Sequence, residues 1–131
     1  MWIVRNFTFE GVEYMVCDMQ AGYVPGTAGM ELLADRHLGV GADRVLLAGA
    51  GQKLRVFSAQ GSEQEPDASD HLILAYAQQA DSSRLDARFQ ALKREISYFE
   101  AHVTQAFCRR MEEADKAAEA AEAMRVTAQD L

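Results

Sequence analysis

Two cysteines and three histidines carry the broadest chemical reach in this 131-residue chain: Cys17 and Cys108, with His37, His71 and His102. A thiolate can act as nucleophile, proton carrier or metal ligand, and an imidazole as general base or ligand. Their spacing favours none of these roles. The cysteines are far apart, with no C-x-x-C or Cys/His spacing, so neither a disulfide framework nor a zinc site is expected. His71 and His102 fall in segments of helical pattern without ligand partners at metal spacing. No metal and no cofactor is expected. Cys17, inside an apolar strand, reads as core, and Cys108 as a structural or exposed thiol on a helix.

The most patterned stretch is "LADRHLGVGADRVLLAG", residues 33–49: a short helical segment, closely spaced glycines, then an apolar run. The elements around it must set its position. Before it, "WIVRNFTF" and "EYMVCDM" are rich in β-branched, aromatic and other apolar residues, and Glu10-Gly11-Val12 between them predicts a hairpin. In the first strand Ile3, Arg5, Phe7 and Phe9 share one face while Trp2, Val4, Asn6 and Thr8 share the other. Neither face is purely polar, so the strand is expected to be covered on both sides. "QAGYVPGTAG" reads as a loop. Thr27 is placed to cap a helix with Met30, Leu33, Ala34 and Leu38 on its apolar stripe, and Gly39 to end it in a left-handed conformation. "RVLLAG" and "KLRVFSA" read as two strands joined by "GAGQ".

From Pro66 the strand signals stop. Asp67 and Ser69 precede "HLILAYAQQA", where Leu72, Ile73, Ala75, Tyr76 and Ala80 can form a buried helical face. Ser83 and Asp86 fit a second helix start. From there Leu85, Phe89, Leu92, Ile96, Phe99 and Val103 step by four and three, the seam of a helix burying a narrow stripe against another helix. The stripe then runs through Phe107 and Met111 to Ala114, Ala118 and Ala121. These spacings predict one helix over residues 83–125, roughly 60 Å long, with a coiled coil as its natural use. The chain is thus expected to be α+β: a domain of β-rich meander and helices over residues 1–82, then a long C-terminal helix over residues 83–131.

Bulk composition narrows the function classes. Hydrophobic residues make up 49% and charged residues 25%, ordinary globular usage. No apolar run approaches the roughly 20 residues of a membrane span, and "MWIVRNFTFEG" meets polar residues too early for a signal peptide, so no membrane association and a cytoplasmic location are expected. The net charge is −7, with 13 basic residues among 20 acidic ones, a poor field for phosphate backbones. No nucleic-acid partner is expected.

"LADRHLGVGADRVLL" followed by "LRVFSAQGSEQE" resembles the N-terminal half of diaminopimelate epimerases, whose text runs close to "DRHFGIGADGLLL" and "RFFNADGSEAEMCGNG". Asp35, Arg36, His37, Gly39, Gly41, Ala42 and Asp43 match, as do Phe57, Ala59, Gly61, Ser62, Glu63 and Glu65. "GVEYMVCD" lines up loosely with that family's "GNDFVVID". The resemblance covers about the first 80 residues and implies half of an epimerase-like fold. Family members invert an α-carbon without a cofactor, using two cysteines, one from each pseudo-symmetric half, each at a helix N-terminus that favours thiolate and grips the substrate carboxylate.

This chain departs at the chemical positions. Asp67 stands at the catalytic cysteine, Ala68 and Ser69 replace the Gly-Asn after it, Ser58 replaces the asparagine of "FNADG", and Val12 the asparagine of "GND". A carboxylate of ordinary pKa near 4 is too weak to remove an α-proton efficiently, and a helix N-terminus lowers it further. Asp67 reads instead as a helix cap, Arg36 and Asp43 as an ion pair or cap, and His37 as part of a helix end. The sequence expectation is therefore a pseudoenzyme. Val12, Ser58, Asp67, Ala68 and Ser69 line a vestigial cleft with no catalytic residue, and Leu85, Phe89, Leu92, Ile96, Phe99 and Val103 form an oligomer interface. The expected partner is a second copy in a homodimer or another protein, and no small-molecule ligand is indicated. The alternative is an epimerase, racemase or small-molecule sensor whose cleft forms between two chains.

Overall fold

The structure, a computed structural model, describes residues 2–18, 24–48, 53–80 and 87–129. Strands β1 (Trp2–Phe9) and β2 (Val12–Asp18) form the hairpin. Phe9 pairs with Val12, and the two turn residues, Glu10 and Gly11, have φ of 51° and 77°. Positive φ at both turn positions matches the twist of the flanking strands, and glycine adopts it without a Cβ clash.

The chain crosses one face of the sheet as α1 (Thr27–Ala34) and returns as β3 (Arg44–Ala48), parallel to β2. Strands β4 (Arg55–Ser58) and β5 (Glu63–Gln64) continue antiparallel. Next come α2 (Ala68–Ala80), α3 (Ala87–Leu92), β6 (Ser97–Val103) and α4 (Gln105–Gln129). The six strands lie in the order β5-β4-β3-β2-β1-β6. The architecture is α+β, a mixed sheet with helices on both faces and a long helix at the C-terminal end. The "GAGQ" turn, Met19 and the Ser83/Asp86 helix start lie outside the described residues.

Two cores hold the layers together. Between the sheet and α1 with α4 lie Val4, Met15, Cys17, Val45, Leu47, Met30, Leu33 and Met111. Between the other face and α2 with α3 lie Phe7, Phe9, Val16, Leu46, Ile73, Tyr76 and Phe89. The period-2 alternation of β1 supplies both, Val4 to the first and Phe7 and Phe9 to the second, so the strand is covered on both sides as its sequence implies. Each large side chain so buried contributes about 1.5–3 kcal/mol.

The continuous helix expected over residues 83–125 is not present. Helix α3 ends at Leu92, and backbone bonds from Lys93 to Phe89 O, and from Glu95 and Ile96 to Leu92 O, close a turn without glycine or proline. The chain then pairs along the whole of β1, from Trp2 opposite Val103 to Thr8 opposite Ser97. Phe99 and Val103 are four apart, and an even spacing puts two residues on the same side of a strand as well as on one helix stripe. The alternation Phe99, Ala101, Val103 and the aromatic Tyr98 carry the strand signal. The expected helical interface therefore dissolves. Phe89, Ile96 and Val103 are buried within the chain, Leu92 packs against the second core, Phe99 is half exposed on β6, and Leu85 lies outside the described residues. Residues beyond 87 complete both cores rather than stand apart from residues 1–82.

Helix α1 also differs from expectation at both ends. Thr27 is its first residue, and Gly26 before it offers no side-chain cap. The cap arrives from α4: the Asp115 carboxylate accepts N–H bonds from Gly26 (2.9 Å) and Gly29 (2.7 Å). At the other end the helix stops at Ala34, and Gly39 is not left-handed; Gly41 is, with φ 91°. Gly39 is required by close approach, because a Cβ there would collide with the Leu32 and Leu33 carbonyls. The start of α4 is capped locally, by Thr104 Oγ1 accepting from the Phe107 N–H at 3.1 Å.

Candidate functional site at the start of helix α2

Both blocks that carry the resemblance dock onto α1. In the first, the Asp35 carboxylate accepts the His37 and Leu38 N–H groups (2.7 and 2.8 Å), the Val40 and Gly41 N–H groups return to Leu33 O, and Ala42 returns to Ala34 O. Asp43 then joins β2: its N–H donates to Glu13 O, its Oδ2 accepts from the Glu13 N–H, and its Oδ1 accepts from Arg36 at 3.1 Å. These bonds hold the Asp35 and Asp43 carboxyls below the ordinary carboxylate range, chiefly through the backbone N–H donors. Buried Asn6 donates to Gly41 O at 2.8 Å, tying the loop to β1. In the second block Gly61, with φ 80°, lies so close to Thr27 O that a Cβ would collide with it.

The residues of the expected cleft meet on the α2 side of the sheet, linked through Tyr14 and Arg44. Tyr14 pairs with Arg44, and Arg44 with Ser58, across β2, β3 and β4. Val12, two residues from Tyr14 along β2, packs against the same core as Tyr14. Asp67 and Asp70 cap α2 reciprocally: the Asp70 N–H donates to Asp67 Oδ1 and the Asp67 N–H to Asp70 Oδ2, each at 2.9 Å. Arg44 grips Asp70 with two bonds, Nε to Oδ1 at 2.7 Å and Nη2 to Oδ2 at 2.5 Å, and its Nη2 lies 3.8 Å from Asp67 Oδ2. Ala68 opens α2, and Ser69 in its first turn lies near the Tyr14 hydroxyl.

Electrostatics act on Asp70 and Tyr14 in opposite directions. Burial alone would push the Asp70 carboxyl up, but the Arg44 guanidinium and the Asp67 N–H outweigh it and hold the carboxyl below its ordinary range. Burial pushes the Tyr14 hydroxyl up, so it stays protonated at neutral pH. Ser58 is equally engaged: its Oγ accepts from the Gln60 and Ser62 N–H groups (3.2 and 3.3 Å). The cluster presents two carboxylates against one guanidinium where the resemblance calls for a thiolate and a grip on a substrate carboxylate. The excess negative charge suits a helix N-terminus and repels an anionic ligand.

Neither thiol lies at this cluster. Cys17 is fully buried in the α1 and α4 core, and desolvation pushes its thiol far up. Cys108 is half-buried on α4 against the same core. A cavity of about 540 Å³ lies between residues 53–55 and 63–66, beside rather than over the cluster, and Arg55 on its wall is held by Glu63 through bonds of 3.0 and 2.9 Å. Among the described residues no group of three potential ligands is placed to hold a metal ion, and no helix is long and apolar enough to cross a membrane.

Sequence reasoning identified Asp67 as a cap but missed its partners. The Asp67-x-x-Asp70 spacing is a readable reciprocal-cap pattern. Arg44 carries no local sign of its role, because the contact depends on β3 beginning beside the start of α2. The chain matches no protein-family model and no curated protein.

Proposed function

We propose that this chain is a non-catalytic, diaminopimelate epimerase-like half domain that works by associating with another protein chain, a second copy of itself being the simplest partner. The observation that carries the reading is the far end of α4. Residues 116–125 are exposed on every side and continue a helix whose earlier turns, at Phe107, Cys108 and Met111, pack into the core. A helix carried past its own core offers a surface to a partner.

The cluster at α2 supports the non-catalytic half of the reading. At the position of the family's thiol stands Asp67, a carboxylate of a type too weak for α-proton removal, bonded to the helix it caps. Ser58, at another cleft position, is bound within its own turn.

The test is the solution mass of the full chain by light scattering over a dilution series. Twice the chain mass at high concentration, dissociating on dilution, is the expected result. A single-chain mass throughout would contradict self-association.

A further inference from the structure

Resting on the association reading, we infer that two copies pair through the outer edge of β6, antiparallel about a two-fold axis at Ala101, joining two six-stranded sheets into one. The two edges of the sheet are built differently. β5 is only two residues long, Glu63–Gln64, both exposed and one charged, a blunt edge of the kind that discourages pairing. β6 is seven residues long, and β1 satisfies one side along its whole length. Among the described residues no strand pairs with its other side. It contains no lysine and no proline, and it carries Tyr98 and Phe99 at 50% and 48% exposure.

What identifies the occupant as a second copy is that the strand is complementary to itself. A two-fold axis perpendicular to the sheet keeps the two faces distinct and sets residues equidistant from the axis opposite each other. With the axis at Ala101, Glu100 faces the partner's His102 and His102 faces the partner's Glu100. On the other face Phe99 stands opposite the partner's Val103. Val103 and Ala101 already belong to the α1 and α4 core or pack against it, so each half-exposed Phe99 ring extends the partner's core. The small Ala101 at the axis meets only its own copy.

Neighbouring registers lose this match. An axis at Glu100 sets two carboxylates face to face. One at His102 opposes two imidazoles and turns Glu100 to Thr104. One at Phe99 stacks the two rings and sets Glu100 against Tyr98, a pair already bonded within the strand, but turns His102 to Ile96 and Val103 to Glu95, both beyond the end of β6. Within its own sheet Glu100 lies beside Arg5 and His102 beside Ile3, so the acid–imidazole pairs continue a row that is already charged on one side and apolar on the other.

The experiment measures the dimer dissociation constant of the full chain and of variants at these exposed positions. Glu100→Lys should raise it at least about tenfold, because two equivalent pairs change from attractive to unfavourable. Adding His102→Glu to the same chain should recover most of the loss by reversing both pairs. Glu100→Lys also meets Arg5 on β1 and loses the Tyr98 hydroxyl bond, so melting temperatures at dilutions where each protein is monomeric should fall slightly in both Glu100→Lys proteins, and recovery of pairing in the double variant despite that fall separates association from folding. A dimer indifferent to both Glu100→Lys and Phe99→Lys would overturn the β6 assignment while leaving self-association standing. A parent chain that stays monomeric would overturn both.

Discussion

Helices α1 and α2 begin in opposite ways. The start of α2 is sealed by its own first turn, with Asp67 and Asp70 exchanging bonds across three residues and Arg44 clasping the pair. The start of α1 has no cap of its own and is closed by Asp115, from a helix some ninety residues downstream. The contrast separates a cap whose N–H bonds its own segment makes, with Arg44 added from β3, from one that exists only when α4 has docked. It also bears on the proposed function, which reads the start of α2 as a cap where the sequence resemblance would place chemistry.

The largest effect is expected at Asp70. Replacing it with asparagine leaves Arg44 beside a buried neutral group, and breaking such a pair costs about 3–5 kcal/mol, read by denaturant titration at neutral pH. The pH dependence has a definite sign. Because the folded-state carboxyl is held below its ordinary value, its contribution is fully present above about pH 4. It is lost as pH falls through the depressed folded value. The penalty of Asp70→Asn should therefore shrink when stability is measured near pH 3.

Asp115→Ala should cost about 1–2 kcal/mol, the upper range for losing a helix cap, because two N–H groups lose one carboxylate. Hydrogen exchange should speed at Gly26 and Gly29. Exchange at the Asp67 and Asp70 amides should not change, and a change there would blur the division between local and remote caps. Asp67→Ala should cost about 1 kcal/mol, less than Asp70→Asn, because Asp67 is 58% exposed while Asp70 is fully buried.

The same division explains what the sequence discloses. The β1–β2 hairpin, the β3 and β4 strands and the α2 cap rest on neighbouring residues, and all are legible. Asp115 reads as one acid among many on a solvated helix, because nothing near it shows that α1 lacks a cap. Gly39 is legible as special but not for the right reason: its role is contact with Leu32 and Leu33 carbonyls rather than left-handed backbone. The misreading of β6 has a related cause. Phe99 and Val103 satisfy both periods, the turn after α3 lacks glycine and proline, and the pairing with β1 that decides the matter spans most of the chain.

The central claim, that the start of α2 is a structural cap on a non-catalytic framework, is tested most directly by solvent deuterium exchange. Diaminopimelate and related amino acids would be incubated with the full chain in heavy water and their α-positions followed by NMR. The account predicts no incorporation above the protein-free control. Incorporation that depends on the chain and disappears in Asp67→Asn would contradict it and make the cluster an active site.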